Sequence, residues 1–147
     1  MTTAADTPTL AIDSQYELAY RVSGSDSPRT LCSEPGDDFP DVLATARMVG
    51  LLELAAARLM RPLLKDGELS VGVGVDVTHL AATPLFETVR ARATFLGMDG
   101  KLYAFRVELF DDGGKVGEGR HTRAIVATER LLKSTEKRLQ AARNPQS

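Results

Sequence analysis

"DVLATARMVGLLELAAARLMRPLL", residues 41–64, decides the fold. No turn signal interrupts it before Pro62, and from Met48 to Ala57 it is apolar except for Gly50 and Glu53. Apolar side chains on nearly all sides of a helix mark a buried helix, not a surface helix packed along one stripe. Such a helix needs cover all round, and the flanking sequence shows what can supply it.

Ahead of it, "YELAYRVS" (16–23) alternates Tyr16, Leu18, Tyr20 and Val22 and reads as a half-buried strand. Gly24 to Pro40 holds three prolines and two glycines and reads as a long loop, of the kind that serves as a lid or binding loop. After it, "KDGE" (65–68) makes a turn and four strands follow: Ser70–His79, Glu87–Leu96, Lys101–Phe110 and Val116–Thr128. Asp99-Gly100 is a hairpin signal between the second and third of these. "ERLLKSTEKRLQAAR" is then an amphipathic basic helix with Thr128 as its expected N-cap. Residues 16–143 read as one domain, with flexible ends at 1–15 and 144–147.

One strand, one buried helix and four antiparallel strands is an α+β order. A single antiparallel sheet of about five strands, curled around the long helix, covers only one side of it. A second copy of the chain is the economical cover for the other side. The expectation is a hotdog fold with an added C-terminal helix, assembled as a homodimer, with a dimer of dimers as a further option.

The 147 residues suffice for one domain with a real core. A net charge of −2 gives no polycationic character, so nucleic acid is not an expected partner. From Arg120 to Arg143, however, seven Lys/Arg face two acids, which reads as a solvated helix face or a patch for a phosphorylated ligand. Cys32 is the only cysteine, excluding an intrachain disulfide, and two histidines with one thiol do not make the usual structural zinc site. Neither a signal peptide nor a membrane span is legible, so a cytoplasmic protein without a membrane partner is expected.

Glu53 is the most informative residue. Its helical neighbours at three and four residues are Val49, Gly50, Ala56 and Ala57, so no intrahelical ion pair explains a carboxylate there. It either reaches solvent or an arginine elsewhere, or it is a functional carboxylate. His79 shares strand parity with Val71, Val73, Val75 and Val77 and so points as the core side chains point. With a carboxylate on the covered helix, a histidine there can orient water or move protons. Thr45 lies eight residues before Glu53, about 12 Å along a straight helix. The two cannot touch one atom within a subunit, so Thr45 either starts the helix or meets Glu53 of a second copy. By parity Gly72 and Gly74 share a face, implying close approach by backbone or ligand. Arg123, in "GEGRHTRAI" (117–125), could serve a phosphate or a carboxylate.

Three stretches together, "FPDVLATARMVGLLELAAARLMRPLL", "VTHLAATP" and "GEGRHTRAI", resemble the fluoroacetyl-CoA thioesterase family of hotdog proteins, over roughly residues 39–130. The resemblance implies a homodimer with acyl-CoA sites at the subunit interface, hydrolysing thioesters without metal or cofactor, coenzyme A entering as part of the substrate. It implies a catalytic set of Thr45, Glu53 and His79, with Gly72 and Arg123 as further site residues. Phe39 matches the second of two lid phenylalanines, while "EPGDD" supplies no phenylalanine for the first, so the fluorinated acyl group is not carried over. Glu53 would be the general base or the nucleophile, His79 a proton shuttle, and Thr45 an orienting group. Arg123 or the basic last helix would meet the coenzyme A phosphates. The alternatives are a hotdog hydro-lyase on enoyl or hydroxyacyl thioesters and a non-catalytic acyl-CoA-binding dimer.

Overall fold

The computed structural model describes residues 8–144. Strands β1 (Gln15–Arg21), β2 (Glu68–His79), β3 (Thr88–Asp99), β4 (Leu102–Asp111) and β5 (Gly114–Ala127) form one antiparallel sheet in the order β1-β3-β4-β5-β2. Helix α1 (Thr45–Met60) lies against all five strands, and α2 (Thr128–Arg143) follows β5 directly. This is the expected hotdog arrangement. Gly100, at φ +62, makes the turn that joins β3 to β4, where the Asp99-Gly100 pair placed it.

The core lies between α1 and the sheet. Met48, Leu51, Leu52, Ala55, Ala56, Leu59 and Met60 pack against Leu18, Val89, Ala91, Ala93, Phe105, Val107 and Leu109. Each buried leucine or methionine contributes about 2 kcal/mol of hydrophobic stabilisation. Gly117 on β5 lets the helix come close, since a Cβ there would run into Met48 Sδ.

Four details differ from the sequence expectations. First, α1 starts at Thr45 instead of Asp41, because the preceding residues are held extended: Leu43 N–H donates to Thr83 O (2.9 Å) and Ala44 N–H to Asp26 O (2.9 Å). Second, the long loop is not structureless; it contains two 3-10 turns, Gly24–Asp26 and Pro28–Leu31, set by the Ser23/Asp26 capping box and by Ser27 accepting from Arg29 N–H. Third, α2 follows β5 with no gap, so the extended last strand residue, Ala127, is its N-cap and Thr128 is already its first helical residue, donating its N–H to Gly67 O (2.9 Å). Fourth, of the ends expected to be flexible, residues 1–7 and 145–147 lie outside the described residues, whereas Asp13 N–H donates to Phe95 O (2.8 Å) and Ser14 O accepts from Phe95 N–H (2.9 Å).

Helix cover is what one sheet alone was expected to give. In the single chain α1 is buried along one face only; Ala46, Gly50 and Leu54 are exposed, and Val49, Glu53 and Ala57 are half-buried between them. Beside this stripe runs β2, an edge strand with Leu69, Val73 and Val75 about half exposed. Among the described residues, no helix is long and apolar enough to cross a membrane.

Asp26 ties the loop to the start of α1. Its carboxylate, 1% exposed, accepts from Tyr20 Oη–H (2.7 Å), Ser23 N–H (2.7 Å) and Ser23 Oγ–H (3.1 Å), and pairs with Arg47. Burial alone would raise its pKa, but the Ser23 and Tyr20 hydrogen bonds and the Arg47 charge outweigh it and hold the carboxyl below the usual aspartate range. Its contribution to stability is therefore present above about pH 4 and lost as pH falls through the depressed folded value. Asp26→Ala is expected to cost about 2–3 kcal/mol in urea unfolding at neutral pH, and less at pH 3. An equal cost at both pH values would contradict this role.

Candidate active site

The residues singled out in the sequence fall into two clusters at different points along α1. At the helix start, Thr45 Oγ1 and His79 Nδ1 lie 2.9 Å apart in a hydrogen bond. Thr45 gets there because residues 42–44 are pinned between the Asp26 loop and the Thr83-Pro84 segment. His79 gets there as the last residue of β2. The pair lines an open cleft of about 570 Å3, whose walls include Leu31, Phe39, Val42 and Leu80. Phe39 and Leu31 thus line the same cleft as the Thr45–His79 pair. Burial holds the His79 imidazole below the usual histidine range, the Ala81 backbone opposing in part. It is neutral at pH 7 and can accept a proton.

Two turns along the helix, Glu53 sits over β2 and β5. Its side chain is 40% exposed, and its Oε1 lies 3.8 Å from Arg123 Nη1 and 4.0 Å from His121 Nε2. The structure thus brings Glu53, Arg123 and Gly72 together, but it does not bring Glu53 to Thr45 and His79 within the chain. A Cβ on Gly72 would collide with Glu53 Oε1, so glycine leaves the carboxylate its place.

The strand parity read from the sequence fails at one point, and the failure builds this cluster. Gly72 pairs with Arg123 but Gly74 with Thr122, leaving Val73 as an extra residue. Side chains directly opposite in an antiparallel pair share a face. Ser70 and Gly72 therefore face α1 before the bulge, and Val75, Val77 and His79 face it afterwards. Val71 and Gly74 face away, so Gly72 and Gly74 do not share a face, and Val71 does not share that of His79.

Arg123 is 6% exposed. It donates from Nε to Ser70 Oγ (3.1 Å), from Nη2 to Ser70 O (2.9 Å) and from Nη1 to His121 Nε2 (3.2 Å). Burial lowers its pKa and Glu53 opposes the shift; the guanidinium remains a cation. This cation faces a carboxylate inside the chain. Among the exterior basic residues, Arg130, Lys133 and Lys137 of α2 line a surface groove. His121 is the participant the sequence reading passed over, although its alternation with Arg123 along β5 was visible. Ser70 gave no signal at all, because the bulge had to be known first. Among the described residues, no three His, Cys, Asp or Glu come together in a way that could hold a metal.

Residues 27–129 match the pattern of a family described as fluoroacetyl-CoA-specific thioesterase. The chain is 42% identical to the fluoroacetyl-CoA thioesterase of Streptantibioticus cattleyicolor over 94 residues, covering 64% of this chain and 68% of that protein. The solved structure of the fluoroacetyl-CoA thioesterase FlK superposes with a TM-score of 0.84 at 32% identity, over 88% of this chain and 98% of FlK. A thioesterase superfamily member of Thermus thermophilus superposes at 0.79 with 26% identity, over 90% and 98% of the two chains.

Both histidines of the chain have lowered pKa values, His121 through burial first and the Arg123 charge next. Proton NMR of the two imidazoles is expected to show both titrating below the ordinary value of 6.5. A midpoint above 6.5 for either ring would overturn its assignment as a neutral group.

Proposed function

The chain belongs to the fluoroacetyl-CoA-specific thioesterase family, and from that premise we propose that it hydrolyses the thioester of a small acyl-CoA without a metal, through Thr45, His79 and Glu53. The observation that carries this reading is the Thr45–His79 hydrogen bond on the wall of an open cleft. Glu53, a carboxylate on the same helix, is half-buried at the margin of the exposed stripe.

One constraint shapes the mechanism. Glu53 is eight residues from Thr45 on a regular helix, about 12 Å along its axis, too far to serve the same carbonyl. The exposed α1 stripe and the free edge of β2 support a two-fold homodimer in which Glu53 of the partner subunit completes the Thr45–His79 site. An exposed strand edge and an apolar stripe side by side are the surfaces such an isologous contact would bury.

In this site Glu53 takes a proton from water, whose oxygen adds to the thioester carbonyl, or the carboxylate adds directly and the resulting anhydride is hydrolysed. Collapse of the tetrahedral intermediate breaks the carbon–sulfur bond and releases the coenzyme A thiolate, which is then protonated. His79, neutral at pH 7 and hydrogen-bonded to Thr45, is suited to relaying these protons. Backbone N–H groups at the start of α1 are unpaired within the helix and can stabilise the oxyanion. Phe39 and Leu31 bound the cleft that would receive the acyl group. The phosphates fall to the basic groove of α2, since Arg123 is buried and held by Ser70 and His121 inside the chain.

Two experiments test this reading. Thiol release from a panel of short acyl-CoAs, fluoroacetyl-CoA included, is expected for the native protein and is expected to fall at least about 100-fold in Glu53→Ala and His79→Ala. Turnover that survives both substitutions would remove the site; reversible double-bond formation without thiol would indicate a hydro-lyase. In sedimentation equilibrium the native protein is expected to have twice the chain mass. Leu54→Glu, on the exposed stripe, is expected to give single chains with little turnover. A native monomer that turns over would refute the composite site.

A further inference from the structure

The orientation of the His121 ring can be assigned from its partners. His121 is 2% exposed, with Nδ1 2.8 Å from Gly74 O and Nε2 3.2 Å from Arg123 Nη1. A carbonyl oxygen only accepts, so Nδ1 carries the hydrogen. A guanidinium only donates, so Nε2 is the bare acceptor. Both contacts are satisfied by one species alone, the neutral Nδ1–H imidazole.

From this we infer that His121 is a positioning residue: as a neutral acceptor it fixes the Arg123 guanidinium beside the Glu53 carboxylate. The inference rests on the reading that Glu53 takes part in thioester hydrolysis. Arg123 has two anchors on Ser70 along one edge, and His121 is the anchor at Nη1, the nitrogen nearest Glu53. An apolar residue of similar size would fill the space against Phe105, whose ring centroid is 6.5 Å away, but would leave Nη1 buried without an acceptor. The guanidinium would then be free to swing, and the carboxylate would lose its fixed counter-charge. The groups facing the ring are Arg123 from β5, Glu53 from α1, the Gly74 carbonyl from β2 and the Phe105 ring from β4. Protonating the ring would set a second cation against the guanidinium, and burial and Arg123 both disfavour it.

Two amides separate the two hydrogen bonds of the ring. His121→Gln places a carbonyl oxygen near the Nε2 position and can keep the bond from Arg123. His121→Asn places an amide nitrogen near the Nδ1 position and can keep the bond to Gly74 while losing Arg123. In thiol-release assays the Asn variant is expected to lose about tenfold or more in kcat with KM within about threefold, and the Gln variant to stay within about threefold of native. Equal kcat for the two variants, or the reverse order, would overturn the inference. Glu53→Gln is the control on the underlying reading: native turnover in that variant removes the role of Glu53 and the positioning role with it. A dead Glu53→Gln beside indistinguishable His121 variants removes the His121 inference alone. Should either His121 variant fail to fold, long-range nitrogen–proton correlation on the native protein decides. The Nδ1–H form is expected, and an Nε2–H ring could not accept from Arg123.

Discussion

A regular helix cannot fold back on itself, and α1 carries Thr45 at its first position and Glu53 two turns on. Every other element settles where those two side chains point. The inner face of α1 is fixed by its packing against the sheet, with glycine on β5 allowing the close approach. Its start is fixed by the Asp26 loop on one side and the Thr83-Pro84 segment on the other. What is left over is a stripe holding Glu53 amid exposed small and apolar residues, with an unpaired strand edge beside it. The proposed dimer is the consequence of that leftover surface.

The two clusters are held by different means. At the helix start the anchoring is a buried carboxylate whose ionised form is favoured by several donors at once. Around Glu53 the anchoring is a buried cation, Arg123, with an acceptor on every nitrogen. Buried charges of this kind are tolerated only when their hydrogen bonds are satisfied. Ser23, Tyr20, Ser70 and His121 are therefore as necessary to the geometry as the charged groups they serve. None of them would be expected to touch the substrate.

Much of the fold was legible in the sequence because its signals are local. Alternation gave the strands, Asp99-Gly100 gave a hairpin, and the long apolar run gave the central helix. A carboxylate amid that run marked Glu53, and a histidine ending a strand marked His79. Less was legible wherever a tertiary contact overrides a local rule. The helix begins at Thr45 because two backbone hydrogen bonds hold residues 43 and 44 extended, not because of any signal there. The bulge at Val73 reverses strand parity, so the side of Gly72 and the part played by Ser70 were hidden. Thr128 has the side chain of a cap, but the strand runs to Ala127 and the helix takes Thr128 as its first residue.

The central claim, that one site is assembled from Thr45 and His79 of one subunit and Glu53 of the other, can be tested by mixing two inactive variants. His79→Ala and Glu53→Ala, unfolded together at equal concentration and refolded, form heterodimers carrying one native and one doubly defective site if the site crosses the interface. About a quarter of native thiol release should then return, half the dimers being mixed and each having one working site. If each chain held its own complete site, every site in the mixture would lack one residue. Thiol release would stay at the level of the separate variants, and that result would contradict the shared site.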